Sequence, residues 1–174
     1  MDRGREFLQS QVNNCVMQHQ TFLRNLEDHE KQAEDARFRD LCSRYIPPMR
    51  EHQRMIEAYA QSIGAELGVG KKALGAALGL ARNAADLARE SDFLRLVGDI
   101  VTARQSQDTF TTFARVGSRI GEPRLAELGE MMSGPHKQYV DEANALVADM
   151  FVDHVNGTEA ARSTSGAGAP AASY

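Results

Sequence analysis

The sequence predicts an all-α four-helix bundle, and three observations carry that expectation. Residues 8–63 hold an apolar stripe at Leu8, Val12, Cys15, His19, Phe22, Leu26, His29 and Ala33, then Phe38, Cys42, Tyr45, Met49, His52, Ile56, Tyr59 and Ile63. Residues 96–150 repeat it at Leu96, Ile100, Ala103, Gln107, Phe110, Ala114, Gly117 and Gly121, then Leu125, Gly129, Met132, His136, Tyr139, Ala143, Leu146 and Met150. Steps of four and three keep side chains on one helix face. Each half therefore reads as an antiparallel helix pair, and the two pairs close on one another. The repeat spacing is 88 residues for the first helix of each half and 87 for the second, as one deletion at the hairpin turn would produce. The third observation is compositional: the chain has no Trp, two Cys and few β-branched clusters.

The first helix is expected over residues 4–33 and the second over 36–64, with the charged run EDHEKQAEDARFRD forming the solvated end of the hairpin. Pro47–Pro48 in the second helix and Gly134–Pro135 in the fourth predict a kink or break in each, because an interior proline removes a backbone bond and clashes with the preceding turn. GAELGVG closes the first hairpin, and the Ala- and Gly-rich KKALGAALGLARNAADLARE predicts a short extra helix over 71–89. Ser91 or Asp92 caps the third helix, and Gly121 stops it before Glu122–Pro123. The fourth helix covers 124–155. Residues 1–156 thus form one bundle domain of two hairpins, 4–64 and 92–155. A connection of nearly thirty residues joins them and favours a long crossover. Residues 157–174, rich in Ala, Ser and Gly, read as a disordered tail.

A net charge of −4 offers no excess of Lys and Arg for nucleic acid, and no apolar run is long enough to span a membrane. MDRGREFLQ lacks the apolar centre of a secretory signal, so a cytoplasmic protein is expected. Cys15 and Cys42 fall about 20 Å apart along the bundle, which predicts reduced, buried thiols. Phe7, Val16 and Leu23, outside the stripe, are candidates to face the other hairpin or a second copy of the chain.

The middle of the stripe is polar. Pairing the helices sets His19 level with His52, Phe22 with Met49, Phe110 with His136, and Gln107 with Tyr139. Burying such groups costs roughly 1–3 kcal/mol for each one left unsatisfied. Two readings account for them. The polar groups satisfy one another, buried water or carbonyls freed at the prolines. Alternatively, His19, His52 and His136 hold one transition-metal ion, with Met49, Gln107 and Tyr139 as neighbours. A ligand set of imidazole and thioether suits Zn or Cu better than Mg or Ca. His29, level with Cys42, is expected to be a partly exposed histidine near the hairpin end. GVGKK lacks the glycine spacing of a phosphate loop. No nucleophilic catalytic set is visible.

The duplicated hairpin, the segment GVGKKALGAALGLA and the phrase FARVGSRIGEPRLAELGEMM resemble the ferritin-like superfamily, nearest to small bacterial stress-associated proteins of the YciE/YciF type. The resemblance covers about residues 5–155. It implies a ferritin-like bundle and, for members that hold two irons, a Glu on one helix and Glu-x-x-His on the next, in each half. The corresponding places here are His19, Met49-x-x-His52, Gln107 and His136-x-x-Tyr139. Only His52 keeps the ligand type, so the di-iron motif is degenerate. The leading expectation is a non-enzymatic, stress-associated bundle that forms homo-oligomers and carries no cofactor. The alternative is a metalloprotein with one Zn, Cu or Fe ion on the central histidines. A ferritin-type iron oxidase ranks third, because paired hard ions need carboxylates.

Overall fold

The computed structural model describes residues 3–66 and 91–157. The expected helix over 71–89 and nearly all of the expected tail lie outside them. Four long helices make up the described chain: α1 (Arg3–Gln32), α2 (Ala36–Ser62), α3 (Asp92–Val116) and α4 (Pro123–Asn156), with a short 3-10 turn at Ser118–Ile120. The first, second and fourth match their sequence-expected ranges to within two residues. The α3 helix ends earlier than expected, and the 3-10 turn fills the gap to Gly121, whose φ of +78° makes it the stop. None of the described helices is long and apolar enough to cross a membrane.

Hydrogen bonds at the helix ends fix the directions. Asp35 caps α2 by accepting from the Arg37 N–H at 2.8 Å. In the same turn the Glu34 and Asp35 N–H groups donate to the Asp92 carboxylate at 2.6 and 2.7 Å, so α3 starts where α1 ends. At the opposite end the Gln9 amide donates to Ile63 O at 2.8 Å, so α2 ends where α1 starts. Consecutive helices α2 and α3 therefore point the same way. The α4 helix runs antiparallel to α2: Tyr59 donates to Glu122 at 3.0 Å near one end, and Arg37 pairs with Asp153 at 2.9 Å near the other. Between them Tyr45 and Arg44 both donate to Glu142 at 2.7 Å. The α1 helix packs on α2 and α3, and α4 packs on α3 and α2.

Both proline-containing helices continue through Pro47–Pro48 and Pro135, so of the expected kink or break, a break does not occur. The three rings sit at exposed or half-buried positions, where water can serve the carbonyls they strand. Burial in α2 and α4 follows the sequence stripe closely: Phe38, Cys42, Tyr45, Met49, His52, Ile56 and Tyr59 are buried, and so are Leu125, Gly129, Met132, His136, Tyr139, Ala143 and Leu146, 87 residues on. The α3 helix departs from its stripe. Gln107 and Ala114 are only half-buried, while Asp99, Ser106 and Phe113 turn inward. Rotating the helix by part of a turn buries the bulk of Phe113 beside Phe110, and this gain sets its phase. Val16 and Leu23 are buried and so are not free faces; Phe7 is 67% exposed.

Gly129 lets α3 and α4 touch backbone to backbone. A Cβ there would lie 2.3 Å from Ala114 N and 2.5 Å from Phe110 O, so only hydrogen fits. The apolar core falls into two clusters. One holds Phe22, Leu26, Phe38, Met49, Leu96 and Tyr139, the other Val12, Cys15, Ile56, Tyr59, Phe110 and Met132. The residues that come between them are histidines.

Candidate metal centre

His19, His52 and His136 stand on α1, α2 and α4 at the inward positions that the four-and-three spacing assigns to them, with side chains 0%, 5% and 0% exposed. Their ring centroids are 5.1 Å apart for His19–His136, 5.6 Å for His52–His136 and 6.2 Å for His19–His52. One ring nitrogen from each lies within 4.8 Å of the others. Nitrogens around a common ion at about 2 Å would sit about 3.4 Å apart, so modest side-chain rotation separates this arrangement from a closed ligand set.

Hydrogen bonds decide which nitrogens are free. His19 Nδ1 lies 2.8 Å from Gln53 Oε1. Gln53 Nε2 donates to Glu57 at 2.6 Å, which fixes the amide so that its oxygen faces His19. His19 Nδ1 must then be the protonated nitrogen, leaving a lone pair on Nε2. His136 Nδ1 donates to Met132 O at 2.7 Å and leaves its Nε2 in the same state. That carbonyl is the one a turn back from His136 and not Met131 O, the one stranded by Pro135, so the sequence expectation of imidazoles capturing released carbonyls does not hold here. His19 Nε2, His136 Nε2 and His52 Nδ1 are all buried with no protein hydrogen-bond partner among the described residues.

The electrostatics keep the rings neutral. Burial lowers the pKa of His19 to about 4, opposed by the Gln53 bond and reinforced by His52. Burial, then repulsion by His19, lowers that of His136 to about 3. His52 is lowered by burial. Neutral imidazoles at pH 7 offer lone pairs that no proton has to vacate. Phe110 stands edge-on to His19 at 5.8 Å and tilted against His136 at 5.0 Å, and Phe22 borders both rings. Among the described residues no Asp, Glu or Cys joins the cluster.

The expected neighbours divide. Met49 and Tyr139 are fully buried in the adjoining apolar cluster, whereas Gln107 is half-buried and Ser106 takes the inward position beside it. Tyr139 packs on Phe22 at 5.0 Å and Tyr45 at 5.1 Å. Burial and the nearby Asp99 push its hydroxyl well above the usual phenol range. Sequence reasoning missed Asp99, a carboxylate with 0% exposure that accepts from His29 Nδ1 at 2.7 Å. Burial raises its pKa, and the His29 bond partly offsets that rise. His29 is half-buried, as expected, but its bond to Asp99 was not foreseen. The only hint was Asp99 lying three residues after Leu96, on the flank of the stripe. Gln53 was missed too; it follows His52 and points toward α1. Cys15 and Cys42 are free and buried, and burial raises both thiols far above their ordinary range.

Comparison with protein-family models, with curated proteins and with solved structures finds no match. The site itself defines the class: a helical bundle whose core is divided by a layer of three converging, buried histidines.

Proposed function

We propose that this chain is a ferritin-like bundle protein that holds one transition-metal ion, Zn, Cu or Fe, on His19, His52 and His136. One observation carries the reading: three buried imidazoles bring one ring nitrogen each within 4.8 Å of the others; each ring also keeps a nitrogen with no protein partner among the described residues. Histidines serving only to fill a core would have to satisfy one another or take up buried water, because each orphaned nitrogen costs roughly 1–3 kcal/mol. Ligation removes all three penalties at once. Gln53 and Met132 O orient the rings from behind, as hydrogen-bond partners of metal-bound imidazoles do.

The parallel run of α2 and α3 suits a bundle of two hairpins joined by a long connection. Burial repeating after 87 residues supports a duplicated hairpin, and both features suit the ferritin-like assignment. A di-iron oxidase has less support, since no carboxylate joins the cluster among the described residues. The ion is a resident of the bundle, and no enzymatic step is assigned to it. Exposed Phe151, Val152 and Val155 near the end of α4 favour association between copies.

Elemental analysis of the untagged protein, combined with thermal unfolding, tests the reading. The expected result is one ion per chain, a melting temperature about 5–10 °C lower after chelation, and loss of both in His52→Ala. Substoichiometric metal, together with unfolding that is insensitive to added Zn(II), Cu(I) and Fe(II), would overturn it.

A further inference from the structure

We infer that the ion suited to His19, His52 and His136 is monovalent Cu(I) in preference to any divalent ion, an inference that rests on the tri-histidine reading above. The ligand set carries no charge. Among the described residues the converging groups are three imidazoles and nothing acidic. The polar atoms behind them, Gln53 Oε1 and Met132 O, are neutral as well. The nearest acid in that chain of bonds, Glu57, reaches His19 only through the Gln53 amide. Asp99 is committed to His29.

An ion in this layer is therefore compensated by dipoles alone. The cost of moving an ion out of water grows with the square of its charge, so a divalent ion is penalised about four times as heavily as a monovalent one. Divalent zinc on three imidazoles also completes its shell with water or hydroxide, which lowers the net charge but needs hydrogen-bond partners. The rings bordering His19 and His136 are those of Phe22 and Phe110, which supply none. Cu(I), a filled-shell ion, accepts three nitrogen ligands in a plane without a fourth, and imidazole is among its ordinary donors. Gln53 acquires a specific role here: an amide holds the His19 tautomer as a carboxylate would, without adding the negative charge that would favour a divalent ion.

The test titrates the full-length, metal-free protein with Cu(I) under anaerobic conditions against a chromophoric chelator, and separately with Zn(II). X-ray absorption then identifies the donor atoms. The wild-type protein is expected to take one Cu(I) on nitrogen donors and to bind it at least about 100-fold more tightly than Zn(II). Gln53→Glu should narrow that ratio about tenfold or more, with circular dichroism confirming the fold. Zn(II) bound on the three histidines as tightly as Cu(I) would overturn the inference and leave the tri-histidine reading standing. A sulfur shell on Cu(I), from Cys15 or Cys42, would also overturn it. Binding of neither ion would overturn the inference, and binding of no Fe(II) either would overturn the tri-histidine reading with it.

Discussion

The imidazoles of His19 and His136, from the first and last helices, face one another with centroids 5.1 Å apart, each tied at Nδ1 and bare at Nε2. A pair held this way resists protonation, and the stability of the bundle inherits that resistance. Their folded pKa values are depressed to about 4 and about 3, against an ordinary value near 6.5. In that interval the unfolded chain binds protons that the folded chain refuses. The contribution is whole above about pH 6.5 and is lost as pH falls toward 4 and then 3. Urea unfolding of the metal-free protein should lose a few kcal/mol between about pH 7 and pH 5. A stability flat across that window would contradict buried, neutral rings.

Removing the support behind His19 should weaken metal binding without unfolding the chain. Gln53→Leu keeps most of the buried volume but releases the ring and its tautomer. Metal affinity is expected to fall about 10- to 100-fold, measured by competition with a chelator. An unchanged affinity would show that Gln53 does not orient the ligand.

Gly129 tests how closely α3 must approach α4. Gly129→Ala gains about 1 kcal/mol of helix propensity, yet its methyl meets Ala114 N and Phe110 O, which are backbone atoms with nowhere to go. The helices must separate, and a net loss of about 2 kcal/mol is expected in chemical denaturation. Because Phe110 packs on His136, metal affinity should decline as well. A variant as stable as the wild type would refute the close contact.

Asp99 separates charge from hydrogen bonding. Its carboxylate is fully buried and bonded to His29. Asp99→Ala strands that imidazole and should cost about 2–3 kcal/mol. Asp99→Asn keeps an acceptor and removes a charge that burial already disfavours, so its cost should stay below about 1 kcal/mol. Equal losses in the two variants would argue that the charge itself is what matters.

Periodicity made α2 and α4 legible because large apolar residues recur at every inward position, and the three histidines interrupt that series where Leu or Ile would serve. His52 and His136 could be placed on the inner face from spacing alone, and pairing across the hairpin put His19 beside His52. The α3 helix was harder to read. It carries small and polar residues on several faces, so the sequence does not distinguish Gln107 from Ser106 as the inward residue; the packing of Phe113 decides it. Gln53 and Asp99 were not visible because their roles depend on partners far along the chain, at His19 and His29. Pro135 and the Pro47–Pro48 pair suggested a kink or break, and both helices run through them unbroken with the rings at exposed or half-buried positions.

The most direct measurement is long-range nitrogen–proton NMR of the histidine side chains, before and after one equivalent of Cu(I) or Zn(II). The metal-free protein should show His19 and His136 as neutral rings protonated at Nδ1. On addition, the signals of His19 Nε2, His136 Nε2 and His52 Nδ1 should shift together and saturate at one ion per chain. Shifts confined to exposed His154, or to none of the three, would contradict a shared centre.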